Sequence, residues 1–280
     1  MSSARPSPGS LILTCYGAWG RDFPDQGTVP VATLIRLLAP LGVDAPSVRS
    51  AVSRLKRRGL LTAHGSGTRG AGYRPSPAAR ELLEDGDRRI FHRPDPDDRW
   101  LLVVFSVPES QRSQRHQLRS RLARLGFGTA APGVWIAPAH LESETRHALD
   151  RLDLTPYVDL FTGEHSGFQA TPEAVARWWD LEDLAGRHRA FLATQEPVLE
   201  RWSRDSPEGP DDPEEAYRDY LLALDAWRRL PYADPGLPRR TLPEDWPGQR
   251  SAEVFDRLRQ RLWRPGRSHV RRVAGLPRAE

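Results

Sequence analysis

The stretch that most restricts the fold of this chain is residues 44–61, with the sequence DAPSVRSAVSRLKRRGLL. Asp44 is suited to cap a helix, Pro46 fits its first turn, and Gly59 supplies a stop. At about 100° per residue, one side of this helix is apolar and consists of Val48, Ala51, Val52 and Leu55. The opposite side consists of Arg49, Ser50, Ser53 and Arg57. The pattern therefore predicts a short helix that packs by one face and leaves the other free to contact a partner.

The charge around this helix has a single sign. Residues 45–80 contain no acidic residue but eight basic ones, namely Arg49, Arg54, Lys56, Arg57, Arg58, Arg69, Arg74 and Arg80. Residues 1–90 hold 13 Lys and Arg against 7 Asp and Glu, although the formal net charge of the whole chain is only +4. The alternative is an ordinary solvated helix, but such helices usually mix both signs. We interpret residues 47–58 as a helix that enters the groove of double-stranded DNA.

Two further helices are predicted before this one. Residues 11–20 form the first, which Ser10 can cap, and residues 28–38 form the second, with apolar residues at helical spacing. Together with residues 44–61 they predict a three-helix unit whose third helix faces outward.

A hairpin is predicted after the third helix. Residues 60–63 and 73–74 favour two short strands, and a helix from residue 77 to about 90 follows them. This order predicts a winged helix-turn-helix domain over residues 10–90. Arg69 and Arg74 of the hairpin are predicted to contact phosphates.

The tip of the hairpin contains a phosphate-binding pattern. Residues 65–70, GSGTRG, match G-x-G-x-x-G, which holds a dinucleotide only when a helix follows directly. Gly72, Pro75 and Pro77 prevent that helix. We therefore interpret the glycines as a hairpin tip and predict no cofactor.

Composition divides the rest of the chain. Residues 91–99 form a linker rich in proline and aspartate, and the strand and helix pattern beyond it favours a ferredoxin-like domain over residues 100–168. Residues 169–263 favour helices, whereas residues 1–9 and the basic residues 264–280 are expected to be disordered. The predicted fold class is α+β, with an N-terminal winged helix-turn-helix, a central ferredoxin-like domain and a mostly helical C-terminal domain.

The predicted helix over residues 109–125 is rich in arginine. Its five arginines are Arg112, Arg115, Arg119, Arg121 and Arg124. The outer face of a helix on a sheet needs no ligand, but a second nucleic-acid surface or a dimer contact are the alternatives.

Aromatic side chains are concentrated in the C-terminal third. Such side chains usually form core, yet they also line pockets for flat apolar ligands. If they wall a pocket here, the candidate effector-binding residues are Trp178, Trp179, His188, Trp227, Arg228 and Arg229.

Several other functions have little support in the sequence. His140, Glu144 and His147 have helical spacing, but no strong further metal ligand accompanies them, so we predict no metal site. We predict no catalytic residue, because no nucleophile motif is present. The single cysteine, Cys15, excludes an internal disulfide, and no apolar stretch approaches the length of a membrane span. A cytoplasmic protein without a membrane partner is expected.

Four blocks of sequence, in order, resemble the signatures of PaaX-type repressors of phenylacetate degradation. They are GSLILTCYGAWGR, then VPVATLIRLLAPLGVDAPSVRSAVSRLKRRGLL, then RWLLVVFSVPES with LARLGFGTAAPGVWIAP, and finally AWRRLPYADPGLPRRTLPEDWPG. The resemblance spans nearly the whole chain, and the last two blocks are more specific than a helix-turn-helix alone. The last block differs from the family's common pattern at Asp225, where a histidine is usual.

The resemblance implies a homodimer that binds an inverted-repeat operator and is released by an aryl-CoA thioester such as phenylacetyl-CoA. The matching positions place the family's DNA-contacting helix at residues 47–58. The predicted DNA-binding residues are Ser47, Arg49, Ser50, Ser53, Arg54, Lys56, Arg57, Arg58, Arg69 and Arg74.

Two other classes of function remain open at this point. The central domain also resembles small ferredoxin-like nucleases of CRISPR adaptation, whose first strand ends in a metal-binding aspartate. The corresponding strand here ends at Ser106, and a hydroxyl alone does not replace the carboxylate that holds Mg²⁺. A metal-dependent nuclease is therefore the alternative to a repressor, and an RNA-binding or protein-binding adaptor is the third possibility.

Overall fold

The computed structural model describes residues 6–65, 72–91, 98–203 and 212–277. The predicted α+β class is confirmed: helices dominate and two small antiparallel sheets accompany them. The helices of the described residues are α1 (Pro8–Trp19), α2 (Pro24–Gly27), α3 (Val31–Leu38), α4 (Ala45–Arg57), α5 (Pro77–Phe91), α6 (Arg112–Arg124), α7 (Glu142–Asp150), α8 (Thr171–Trp178), α9 (Leu181–Arg201), α10 (Pro213–Trp227), α11 (Leu230–Ala233) and α12 (Gly248–Ala274). The strands are β1 (Val29–Pro30), β2 (Leu61–His64), β3 (Gly72–Pro75), β4 (Trp100–Phe105), β5 (Gly128–Ala131), β6 (Val134–Pro138) and β7 (Val158–Gly163).

The chain divides into two compact units that are not continuous in sequence. The first unit comprises residues 1–90, 190–228 and 249–280, and the second comprises residues 91–189 and 229–248. The domain boundaries expected from composition, at 168 and 263, therefore do not coincide with the boundaries of these units. Long-range packing, which composition does not record, groups the later helices with the N-terminal ones.

The start of the first unit differs in detail from the predicted elements. Helix α1 begins at Pro8 because the Ser7 hydroxyl accepts a hydrogen bond from the Ser10 amide at 3.2 Å. Ser10 is thus not the cap, and the expected disordered leader over residues 1–9 is wrong for its last residues. Helix α3 begins at Val31, later than predicted, because Val29 and Pro30 pair with β3.

Helices α1 to α5 and a three-stranded sheet lie in the N-terminal part of the first unit. Helix α4 packs against α1 and α3, and the strands lie in the order β1-β3-β2. Strands β2 and β3 form the predicted hairpin, in which Leu61 pairs with Pro75 and His64 pairs with Gly72. The hairpin tip at residues 66–71 lies outside the described residues.

The described residues of the C-terminal part of the first unit, 190–203, 212–228 and 249–277, form helices and no strand. Helix α10 packs against α1, and Trp19 lies within 5.3 Å of the Tyr217 ring and 5.5 Å of the Tyr220 ring, measured between centroids. Trp227 stacks on Phe255 of α12 with centroids 4.9 Å apart. These aromatic contacts give the unit one core shared by its first and last segments.

The prediction that residues 264–280 are disordered is wrong for residues 264–274, and residues 278–280 lie outside the described part of the chain. Helix α12 continues through Pro265 to Ala274, and Val270 is fully buried. Two arginines hold this extension, because Arg267 forms an ion pair with Asp22 and Arg271 donates to the same carboxylate at 3.1 Å. Proline and glycine at 265 and 266 resemble a helix end locally, but tertiary packing overrides that signal.

The second unit contains a four-stranded antiparallel sheet in the order β5-β6-β4-β7. Over residues 100–163 the strands and α-helices follow one another as strand, helix, strand, strand, helix, strand. Strand β5 was not predicted, because GTAA has little β propensity, and it forms only by pairing with β6.

The two faces of this sheet belong to separate apolar clusters. Leu101 and Val103 of β4 face a cluster that includes Leu118 and Leu122 of α6 and parts of α7. Trp100 faces the other way and packs with Val175, Trp179, Leu184, Leu237 and Trp246. Because side chains alternate along a strand, β4 contributes to both clusters. By their packing, residues 169–189 and 229–248 therefore belong to the second unit.

Candidate nucleic-acid interface

Helix α4 has the polarity that its sequence predicts. Asp44 caps it, since its carboxylate accepts a hydrogen bond from the Ser47 amide at 2.7 Å. Hydrogen bonds from the Ser47 side chain and amide lower the pKa of the Asp44 carboxyl. The buried residues of the helix are those of the apolar stripe, Val48, Ala51, Val52 and Leu55. The amphipathic helix predicted from the sequence is thus confirmed.

The outer face of α4 and its C-terminus is basic and exposed. Its exposed side chains are Arg49, Ser50, Ser53, Arg54, Lys56, Arg57 and Arg58. Arg54 donates to the Ser50 hydroxyl at 2.7 Å, which orients that guanidinium along the helix. Within the described ranges, none of the five cations on this face forms an ion pair with a carboxylate. The face therefore offers uncompensated positive charge to a ligand.

The remaining predicted DNA-binding residues lie beside or beyond this face. Ser47 is half-buried in the first turn of α4, and Arg74 is half-buried on β3, where it pairs in register with Thr62. Arg69 falls in the hairpin tip, outside the described residues. The Tyr16 hydroxyl donates to the Tyr73 carbonyl at 2.6 Å, so the hairpin is tied to α1. Burial raises the pKa of Tyr16 well above its usual range, which keeps this hydroxyl protonated as a donor.

The six candidate effector residues are divided between the two units. Trp178, Trp179 and His188 belong to the second unit and Trp227 and Arg228 to the first. The exposed Arg229 belongs to the second unit.

Several of these six side chains already have structural partners. The Trp179 indole donates to the Gly126 carbonyl at 2.8 Å, and His188 Nε2 lies 3.0 Å from an Asp234 carboxylate oxygen. Trp227 donates to the Ile90 carbonyl at 3.2 Å. Burial and these bonds favour the core-packing interpretation for the three side chains.

A buried polar cluster on Asp225 was not predicted as a site. Asp225 is 1% exposed and accepts hydrogen bonds from Ser10 at 2.6 Å, Thr14 at 2.8 Å and Arg228 Nε at 3.2 Å. Arg228 Nη2 also contacts the Ser10 hydroxyl at 2.8 Å. This Asp225 cluster joins α10 to α1, and α1 in turn packs on α4. The available sequence signal was an acidic residue among the apolar positions of α10.

The described residues offer no prepared metal site and no membrane span. Among them, no three or more His, Cys, Asp or Glu side chains are placed to hold a metal ion together. None of the helices in this part of the chain combines the length and apolar character needed to cross a bilayer.

Comparisons with known proteins assign the chain to a family. Residues 7–79 match the family model described as PaaX-like protein, residues 93–175 match the PaaX protein central Cas2-like domain, and residues 179–272 match the PaaX-like protein C-terminal domain. These three models follow one another along most of the chain. The chain therefore belongs to the PaaX family, as the resemblance of its four sequence blocks predicted.

Two individual proteins are similar over most of this chain. The transcriptional repressor PaaX of Escherichia coli (strain K12) is 24% identical over 260 residues, which cover 90% of this chain and 79% of that protein. The solved structure of the uncharacterized protein Rv0674 from Mycobacterium tuberculosis shares the fold, with a TM-score of 0.59 and 20% identity. The match covers 95% of this chain and 99% of that one.

Proposed function

We propose that this protein is a transcriptional repressor that binds double-stranded DNA in a sequence-specific manner and is not an enzyme. The observation that carries the proposal is the exposed, acid-free face of α4, whose cations form no ion pair among the described residues. Membership of the PaaX family and similarity to a protein named as a transcriptional repressor support it.

The order of helices and strands supports a fold name for two parts of the chain. Helices α1, α3 and α4 followed by the β2–β3 hairpin have the order of a winged helix-turn-helix, with α4 as the helix that enters the major groove. The second unit has the strand and helix order of a ferredoxin-like domain. This second unit serves as a scaffold, because β4 is followed by Ser106 where a nuclease would need a carboxylate for Mg²⁺.

The side chains of α4 divide by their position into two roles. Arg49, Ser50 and Ser53 lie on the face opposite the apolar stripe and contact base edges. Phosphate contacts come from the last turn of α4 and from the hairpin, namely Arg54, Lys56, Arg57, Arg58, Arg69 and Arg74. Ser47 contacts the backbone of the same groove from the first turn. Each neutralised phosphate releases counterions, so the affinity falls steeply with salt.

A homodimer presents two α4 helices to the two halves of an inverted repeat. An aryl-CoA thioester such as phenylacetyl-CoA, the effector that the family resemblance implies, binds one dimer geometry more tightly and shifts the population away from the DNA-competent one. The Asp225 cluster offers a path for this coupling, because it connects α10 to the helix on which α4 packs. The operator would then be occluded only in the absence of effector.

The proposal is tested by comparing Arg49→Ala with Arg58→Ala in DNA binding. A selected duplex and a random duplex are titrated at several salt concentrations, with Arg124→Ala, an exposed arginine of the second unit, as the matched control. Arg49→Ala should weaken binding to the selected duplex by about 1–3 kcal/mol and leave binding to the random duplex nearly unchanged. Arg58→Ala should weaken binding to both duplexes equally and reduce by about 1 the slope of log affinity against log salt concentration. Equal effects of the three variants on both duplexes would show that α4 does not read DNA.

A further inference from the structure

A groove in the second unit lies between α6 and the β5–β6 hairpin. Two adjoining cavities of about 490 and 610 Å³ share Arg115, Arg119 and Trp135 in their walls. The apolar part of the wall comes from Phe105, Ala130, Ala131 and Pro132, and from the accessible parts of the largely buried Val107 and Trp135. We call these two cavities together the α6 groove. Each of the two volumes lies within the range of small-molecule sites in proteins.

The opposite wall of the α6 groove is cationic. Arg112, Arg115, His116 and Arg119 line it from successive turns of α6, a helix without any acidic residue. Glu109 pairs with Arg112 at 2.5 Å and with Arg115 at 2.9 Å.

Arg115 and Arg119 differ in how they are held. Arg115 is fixed by its pair with Glu109 and by a hydrogen bond of 2.7 Å to the Val107 carbonyl. The exposed guanidinium of Arg119 has neither a hydrogen bond nor an ion pair among the residues that the structure describes. Arg119 is therefore the cation most available to a ligand in the α6 groove.

The two walls together define the chemistry of a ligand. A neutral hydrocarbon would leave the guanidinium without a partner, and a bare phosphate would leave the aromatic wall uncovered. A ligand with a flat apolar group and an anionic group satisfies both walls, because the apolar group covers Phe105 and the 8% of Trp135 that is exposed while the anion accepts from Arg119. The groove lies outside the six effector candidates that the sequence indicated.

We propose that the α6 groove binds a small amphipathic anion, with its flat apolar group against Trp135 and its carboxylate or phosphate at Arg119. The assignment of this ligand as the effector rests on the proposed repressor function. Binding of the ligand to the groove does not, and it can be tested without DNA. The anion is either the carboxylate of a free aryl acid or a phosphate of its coenzyme A thioester, in which case the flat group beside it is the adenine, and Arg119 is suited to both.

The experiment measures binding of three probes to the full chain by calorimetry: phenylacetate, coenzyme A and phenylacetyl-CoA. Arg119→Gln removes the cation, and Ala131→Phe narrows the groove from an exposed lining position. Arg124→Gln, an exposed arginine of α6 that does not line the groove, is the control. Thermal unfolding of each variant establishes that it is folded.

At least one probe should bind the unaltered chain and Arg124→Gln equally, and its affinity should fall about tenfold or more in Arg119→Gln and in Ala131→Phe. Binding of phenylacetate identifies a carboxylate ligand, whereas binding of coenzyme A alone identifies the phosphates. Absence of binding by all three probes, or equal binding to all variants, overturns the proposal.

DNA titrations separate this inference from the repressor function. Without ligand, Arg119→Gln should bind operator DNA like the unaltered chain. A weaker DNA affinity with a flatter salt slope in Arg119→Gln would identify the groove as a phosphate-contact surface and overturn the ligand site while leaving the repressor function intact. Failure of the unaltered chain to bind any DNA, with probe binding as predicted, would overturn the repressor function alone.

Discussion

Replacing Asp225 by alanine tests whether the buried polar cluster holds α10 to α1. The carboxylate is 1% exposed and accepts from Ser10, Thr14 and Arg228. Removing one partner of a buried charged pair costs about 3–5 kcal/mol, and each hydrogen bond to a charged group contributes about 1.5–3 kcal/mol.

Two features of the cluster reduce the expected cost. Without the carboxylate, the Thr14 hydroxyl can donate its proton to the Ser10 carbonyl, which lies 3.0 Å away, and so remains satisfied after the substitution. The side chain of Arg228 is 29% exposed, so water can solvate its guanidinium. We therefore expect Asp225→Ala to lower the free energy of unfolding of the first unit by about 2–4 kcal/mol. Asp225→Asn keeps an acceptor for both hydroxyls and should cost about half as much.

The assay is denaturant unfolding of the full chain, with hydrogen exchange on α1 and α10 to assign the loss to the first unit. Asp150→Ala, which removes an exposed aspartate of α7, is the matched control and should change stability by less than about 0.5 kcal/mol. A double-mutant cycle with Ser10→Ala should give a coupling free energy of about 0.5–3 kcal/mol. A change in Asp225→Ala no larger than in the control, or a coupling free energy of zero, would refute the reasoning.

Two glycines of the four-stranded sheet, Gly128 in β5 and Gly163 in β7, and the buried His269 give further tests. Gly128→Ala should destabilise the second unit by about 1–3 kcal/mol in thermal unfolding, because the new Cβ would lie 2.7 Å from the Trp178 carbonyl oxygen. A Cβ at Gly163 would have no atom within 4 Å, so Gly163→Ala should leave stability unchanged or raise it slightly. Equal melting temperatures for the two variants would contradict this. Burial lowers the pKa of His269 below 6.5, although the charge of Glu214 opposes this shift. The imidazole therefore binds a proton more readily in the unfolded chain than in the folded one. The free energy of unfolding should fall as the pH decreases below about 6.5. His269→Gln should flatten this acid-side loss in unfolding measured between pH 7 and 5, and an unchanged slope would show that the loss arises elsewhere.

Strong local patterns in the sequence were sufficient for the main elements. The stripe of Val48, Ala51, Val52 and Leu55 with the Asp44 cap predicted α4 and its exposed face, because a helix is stabilised by contacts within a few residues. The apolar run that begins at Trp100 predicted β4 in the same way. The family also followed from the sequence, since its blocks lie in order along the chain.

Local patterns failed where distant segments decided the outcome. Strand β5 has weak β propensity and exists because β6 pairs with it, and α12 passes through Pro265 because Asp22 binds the arginines beyond it. The position of Ser10 in the sequence favours a helix cap, yet its hydroxyl donates a hydrogen bond to Asp225, more than two hundred positions away.

The sequence by itself determined the family, the α+β class and the basic helix that the proposed DNA contact requires, because periodicity, capping and charge are properties of neighbouring residues. Only the tertiary structure decided how the segments combine into two units and which aromatic side chains are buried in the core. It also brought Arg119 and Trp135 into one groove. These features depend on contacts between residues far apart in the chain, and no local pattern encodes such contacts.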